Sequence, residues 1–164
     1  MDRIAKFEKV SLEQFRADAA DIIGNKDEMW NDIKLPTRST SGSAGYDFKA
    51  PFSFQLNPGE SIKIPTGIRC EMEPGWVLMC YPRSGLGFKY GARLSNGTGI
   101  IDEDYYFSDN EGHIHCKLYN GGNKSFEVNK GDGFMQGIFV QFGITEDDDV
   151  TAIRNGGFGS TDKK

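Results

Sequence analysis

"EPGWVLMCYPRSGLG", residues 73–87, decides the fold. A Pro-Gly turn signal opens it, a six-residue apolar run follows at 76–81, and Pro82 then forces Tyr81 into an extended shape. An apolar run this short between turn signals has the length of a strand rather than a helix. The same texture continues on both sides from Ile33 onward. "SFQL" at 53–56, "SIKI" at 61–64, "HIHCKLY" at 113–119, "SFEV" at 125–128 and "GIFVQF" at 137–142 are separated by Asn-Pro-Gly, Gly-Gly-Asn and Lys-Gly-Asp signals. Turns recurring at intervals of about eight to twelve residues predict an all-β sandwich or jelly roll of many short strands. The 21 glycines exceed what strand interiors absorb, so many must serve turns or close backbone approaches.

One segment carries a helical period. In "SLEQFRADAADIIG", residues 11–24, Leu12, Phe15, Ala19, Ile22 and Ile23 recur at spacings of three and four. Ser11 with Gln14 forms a capping box, and Gly24 supplies a stop. This predicts an amphipathic helix over 11–23 packed on the outside of the domain, with a polar stretch at 25–32. The chain thus divides into an N-terminal helical extension at 1–32, a β domain at 33–145, and a linker with a glycine-rich arm at 146–164. "TEDDDV" at 145–150 reads as the solvated linker. "RNGGFGSTDKK" at 154–164 reads either as a frayed terminus or as a flexible arm that orders over an anionic ligand.

Composition narrows the function. A chain of 164 residues supports one domain with a real core. Its formal charge of -5 opposes general nucleic-acid binding, which needs a positive surface to displace phosphate counterions. No apolar run reaches transmembrane length and no signal-peptide apolar region opens the chain, so the expectation is a cytoplasmic protein without a membrane partner. Cys70, Cys80 and Cys116 lack metal-ligand spacing and read as reduced core residues. His113 and His115 would need carboxylates brought from elsewhere to hold a metal, so no metal is expected there. The glycines at 91, 97 and 99 fit neither a phosphate-binding P-loop nor a dinucleotide-binding turn.

Four segments combine polar, charged and glycine residues beyond what a β domain requires. "SAGYDFKA" at 43–50 places Asp47 at a strand entry, where it is either a turn residue or a site residue. "PRSGLG" at 82–87 presents a guanidinium, a hydroxyl and an unhindered backbone N–H in Arg83, Ser84 and Gly85, which suits phosphate oxygens but is also an ordinary loop composition. "NGTGIIDEDYYFSDNEGHI" at 96–114 sets Asp102 after two isoleucines; it is either a partly shielded general base or part of an exposed acidic hairpin. Strand alternation would put Asp102 and Asp104 on one face and Glu103 on the other. "KGDGFMQGIFV" at 130–140 holds Gln136 among apolar neighbours, as a structural bridge or a ligand contact.

Together, in this order and with "RNGGFGST" at 154–161, the segments resemble the five motifs of the trimeric deoxyuridine triphosphatase (dUTPase) family. The resemblance implies a jelly-roll, β-clip subunit in a homotrimer with shared active sites. It also implies hydrolysis of dUTP to dUMP and pyrophosphate, with Mg2+ held mainly by the substrate phosphates and water rather than directly by the protein. Carried over, Asp102 is the general base, Tyr105 stacks under the deoxyribose, and Asn96 with the backbone of Gly99, Ile100 and Ile101 reads uracil. Arg83, Ser84, Gly85 and Gln136 bind phosphate, with Asp47 in support. Arg154, Phe158, Gly159, Ser160 and Thr161 form the closing arm. Phosphoryl transfer is mostly positioning and charge neutralisation, which a net-acidic protein can supply locally.

This chain departs from the pattern in three places. Gly133 stands where the fourth motif usually carries an arginine, "FSDNEGHI" replaces a shorter turn, and the arm is one residue shorter, with Asp162 after Thr161. The alternatives are a dCTP deaminase of the same fold, or a dUTPase-like protein with an added regulatory protein-binding role.

Overall fold

The computed structural model describes residues 1–156. In chain order the elements are β1 (Ala5–Lys9), α1 (Leu12–Asp18), α2 (Lys26–Asp32), β2 (Thr37–Arg38), β3 (Tyr46–Lys49), β4 (Phe54–Leu56), β5 (Ser61–Pro65), β6 (Ile68–Met72) and β7 (Trp76–Pro82). There follow α3 (Ser84–Tyr90), β8 (Ala92–Leu94), β9 (Gly99–Ile101), a 3-10 helix at Glu103–Phe107, β10 (His115–Asn120), β11 (Phe126–Val128) and β12 (Gly133–Gln141). The mainly β jelly-roll class expected from the alternating runs and turn signals is what forms. The largest sheet has the order β2-β3-β12-β7-β9, and a second has the order β5-β10-β8. All strand pairs named here are antiparallel, as hairpin-rich connections require. The buried side chains Phe48, Ile64, Leu78, Leu118 and Phe134 fill the interior. Cys70, Cys80 and Cys116 are free and buried in it, and burial pushes the Cys70 and Cys80 thiols up to about 12. No described helix is long and apolar enough to cross a membrane.

The first 32 residues differ from the sequence expectation. The helix expected over 11–23 ends at Asp18, with Ala19 as its C-cap, and the supposed polar stretch contains α2, capped by the Asn25 side chain on the N–H groups of Asp27 and Glu28. Ahead of both lies β1, which pairs with β6 from Ala5↔Met72 to Lys9↔Ile68. α1 packs as an amphipathic helix, with Glu13, Arg16 and Ala17 exposed, and its inner face reaches the core through Phe15 and the C-cap Ala19, both fully buried. Phe7 of β1 reaches the large sheet, with ring centroids 5.3 Å from Tyr46, 5.7 Å from Phe48 and 5.7 Å from Phe139. Trp30 of α2 donates to the Val10 carbonyl at 2.8 Å, and Lys9 caps the Trp30 carbonyl at 2.8 Å. Strand, two helices and β domain therefore share one interior.

Phe15→Ala should lower folding stability by about 3–5 kcal/mol, the usual cost of truncating a buried aromatic. Urea denaturation would measure it, and a loss below about 1 kcal/mol would mean that α1 lies outside the cooperative core.

Candidate active site

The turn after β8 prepares the first half of the site. Leu94 and Gly97 close a β-bridge, and β9 then pairs with β7 through Cys80↔Gly99, Met79↔Ile100 and Leu78↔Ile101. A cleft of about 250 Å³ opens beside this hairpin, walled by Asn96, Gly99, Ile100 and Ile101. Asp102, Tyr105, His115 and Arg154 close it. Beyond it a more apolar cavity of about 380 Å³ runs past Asn96 and His115 to Cys80, Leu94 and Met135.

Tyr105 is the fixed floor. Its side chain is buried, its hydroxyl donates to the His113 carbonyl at 2.7 Å, and Asn110 Nδ2 donates to that hydroxyl at 2.8 Å. Burial raises its pKa, so the phenol stays protonated and its donor role is permanent.

Asp102 follows β9 directly and leads into the 3-10 helix. The backbone at Glu103 is thus not a strand, yet the side chains still divide as alternation predicts. Arg154 pairs with Asp102 and with Asp104, the latter at 2.8 Å, while Glu103 turns away to accept the Gly75 N–H at 2.7 Å. Asp102 is partly shielded, of intermediate burial, with its side chain 48% exposed and the remainder covered beside Arg154. The Arg154 guanidinium also stands 6.0 Å from the Tyr105 ring, placing a cation over the acidic mouth of the cleft.

The second half lies across the sheet. β12 brings Gln136 opposite Asp47 of β3 on one side and opposite Tyr81 of β7 on the other. Arg83, which caps α3, approaches Asp47 at 3.9 Å, and Gln136 Nε2 lies 3.5 Å from the Pro82 carbonyl. A Cβ on Gly45 would come within 2.8 Å of Gln136 Oε1, so the glycine of "AGYDFKA" gives the amide its room. Beside Gly85 there is open space, where a ligand can meet the backbone closely. The structure therefore joins Asp47, Arg83 and Gln136 in one group, with Ser84 and Gly85 next to them. It joins Asn96, Gly99, Ile100, Ile101, Asp102, Tyr105 and Arg154 in another. β9 is on the opposite side of β7 from β12 and β3, so the two groups are not united in one cleft. Phe158, Gly159, Ser160 and Thr161 lie outside the described residues.

Sequence reasoning missed Asp18 and gave His115 no side-chain role. Asp18 Oδ2 is 2.5 Å from His113 Nδ1 and 3.3 Å from His115 Nε2, across 95 and 97 residues of chain. The carboxylate that the histidines would need from elsewhere in the chain is supplied by the end of α1. The available signal was the His-x-His alternation in a strand, which puts both rings on one face.

Comparison with known proteins gives the family. The dUTPase family model matches residues 31–162. The deoxyuridine 5'-triphosphate nucleotidohydrolase of Lactococcus lactis is 42% identical over 132 residues, covering 79% of this chain and 88% of that protein. The crystal structure of the dUTPase from Streptococcus mutans superposes with a TM-score of 0.65 at 30% identity, over 85% of this chain and 98% of that one. A mutant dUTPase from phage phi11 of S. aureus, described as coordinating a structural Mg(II) ion, shares the fold with a TM-score of 0.64 at 19% identity, over 92% and 98% of the two chains.

The chain belongs to the dUTPase family.

Hydrolysis of dUTP is the function of that family, and two of the three departures of this dUTPase from the common motifs can be placed in the structure; Asp162 lies outside the described residues. A Cβ on Gly133 would meet Arg83 Cδ and Nη1 at 3.2 Å, so the Arg83 side chain lies across the place where a side chain at 133 would begin. The "FSDNEGHI" segment turns through Glu111 at φ 60 and Gly112 at φ 68 and supplies Asn110 to Tyr105. It also meets the N-terminal elements, since the Ser11 N–H donates to Glu111 at 2.7 Å.

Burial pushes the His115 imidazole down to about 4, reinforced by His113 and Lys63 of β5 and opposed by Asp18 of α1. Between pH about 4 and about 6.5 the unfolded dUTPase therefore binds more protons at this position than the folded one, and stability rises with pH. Urea midpoints should fall as pH drops through that window, and His115→Gln should flatten part of the slope. The same slope in both proteins would remove His115 as its source.

Proposed function

We propose that this chain hydrolyses dUTP to dUMP and pyrophosphate, with Asp102 as the general base. The observation that carries this reading is the convergence of Asn96, Asp102, Tyr105 and Arg154 on one cleft. Asp102 takes a proton from a water as its oxygen attacks the α-phosphorus, and pyrophosphate departs with the electrons of the broken P–O bond. Its half-exposed carboxylate suits that work, because the water reaches it from solvent. The buried Tyr105 ring lies under the deoxyribose and leaves no room for a 2′-hydroxyl. The backbone of the β9 hairpin and Asn96 reads the edge of uracil by hydrogen bonds, where a mispaired base leaves polar groups unsatisfied.

Arg83, Ser84, Gly85 and Gln136 hold the phosphates, with Asp47 in support. Arg154 moves from Asp102 and Asp104 to the γ-phosphate, and Phe158, Gly159, Ser160 and Thr161 close with it. Magnesium, a hard cation that keeps several waters and favours phosphate oxygens, would be held mainly by the substrate phosphates and water, with Asp47 and Asp102 the nearest carboxylates of the two groups, and would supply charge neutralisation on the phosphates.

The two half-sites support a homotrimer in which one subunit's phosphate group faces a neighbour's base and sugar group. Asp102→Asn should lower kcat by orders of magnitude while nucleotide binding stays within a few-fold, and unchanged turnover would remove Asp102 as the base. Mixing refolded Asp102→Asn and Arg83→Ala chains, each nearly inactive alone, should restore activity, because some sites then receive both native halves. Pyrophosphate release from dUTP without ammonia release from dCTP separates this reading from deamination.

A further inference from the structure

Asp18, the last residue of α1, meets both histidines at the entry to β10. Its Oδ2 accepts from Gln14 Nε2 at 2.9 Å and faces His113 Nδ1 at 2.5 Å and His115 Nε2 at 3.3 Å. His113 is fully buried, and the Gly67 backbone N–H donates to its Nε2 at 2.8 Å. A backbone amide can only donate, so Nε2 carries the lone pair and Nδ1 carries the proton that is given to Asp18. This settles what the cluster is for. The three candidate ligand atoms lie within 4.8 Å of one another, close enough for a metal. A metal on Nδ1, however, would need that proton removed while Nε2 still accepts from Gly67, leaving a full imidazolate. The arrangement is an oriented hydrogen-bond relay instead.

The relay ends at the nucleotide cleft. The carbonyl of His113 accepts the Tyr105 hydroxyl, and His115, two residues on, walls the cleft alongside Asn96 and Gly99. Other N-terminal groups brace the same region: Glu8 accepts the Tyr106 hydroxyl at 2.6 Å, and the Ser11 N–H holds Glu111.

We propose that Asp18 is a positioning residue for the nucleoside end of the cleft, acting through His113 and His115 to set the Tyr105 floor and the His115 wall. The N-terminal elements thereby govern how well base and sugar are read. This rests on dUTP being the substrate. Asp18 touches neither the phosphates nor Asp102, so its loss weakens nucleoside binding more than turnover. Misplacement of a supporting group typically costs about tenfold to a hundredfold.

The test uses the full chain with Asp18→Asn, which keeps the side-chain shape, and Asp18→Ala. KM for dUTP and Kd for dUMP should rise about tenfold with kcat within about twofold, and discrimination against UTP should fall by a similar factor. The parent should show a downfield proton NMR resonance from His113 Nδ1–H that is lost in Asp18→Ala. Asp18→Glu should recover part of the affinity. If Asp18→Ala does not fold, Asp18→Asn decides the matter. An unchanged dUMP Kd in Asp18→Asn overturns the proposal whatever the parent's turnover, whereas a parent inert toward dUTP overturns the functional reading and leaves the dUMP and NMR measurements to judge Asp18. Stoichiometric zinc binding that disappears in Asp18→Ala would overturn the relay.

Discussion

The register of β12 between β3 and β7 is the constraint on which the site depends. This nine-residue strand buries Phe134 and Met135 while Gln136 stays half-exposed, and Gln136 must fall opposite Asp47 and Tyr81 at once. A slip of one residue would turn Met135 outward and drive the amide into the core, so the apolar pattern that packs the sheet also aims the polar groups. The irregular register between Gly133 and Met135 on the β3 side lets the strand keep both partners. From β7, the same sheet hands its order on to β9, which fixes the hairpin that walls the cleft.

A second dependence runs through the N-terminal elements. β1 binds β6 by a full backbone ladder, Phe7 enters the aromatic group on the large sheet, and α1 seals the core with Phe15. The longer turn after Tyr106 packs on these elements through Tyr106, Glu111 and His113. Two features that look separate in the sequence are thus halves of one contact. Arg69 strengthens it by lying 3.6 Å from the Tyr106 ring while donating to the Tyr106 carbonyl at 2.7 Å.

What could be read in the sequence was what local chemistry encodes. Runs such as "SFEV" and "WVLMCY" between turn signals became β11 and β7, and the motif segments supplied the residues that gather into the two groups on either side of β7. β1 was missed because Ala5 and Phe7 alternate with Lys6 and Glu8 over a span too short to stand out. α2 was missed because Met29 and Trp30 are its only large apolar residues. The partial shielding of Asp102 was legible, but not its cause: Ile100 is 53% exposed, and the cover comes from Arg154, 52 residues away. The Asp18 relay was out of reach, since nothing local pairs residue 18 with residue 113.

Gly133 carries a consequence for how this chain tolerates change. A Cβ at 133 would meet the Arg83 side chain at 3.2 Å, so any side chain placed there must first shift that half-exposed guanidinium by a few tenths of an ångström. The backbone sets no bar of its own, since Gly133 lies outside the left-handed region. Position 133 therefore acts as a rest for Arg83: what stands there decides where the guanidinium lies beside Asp47.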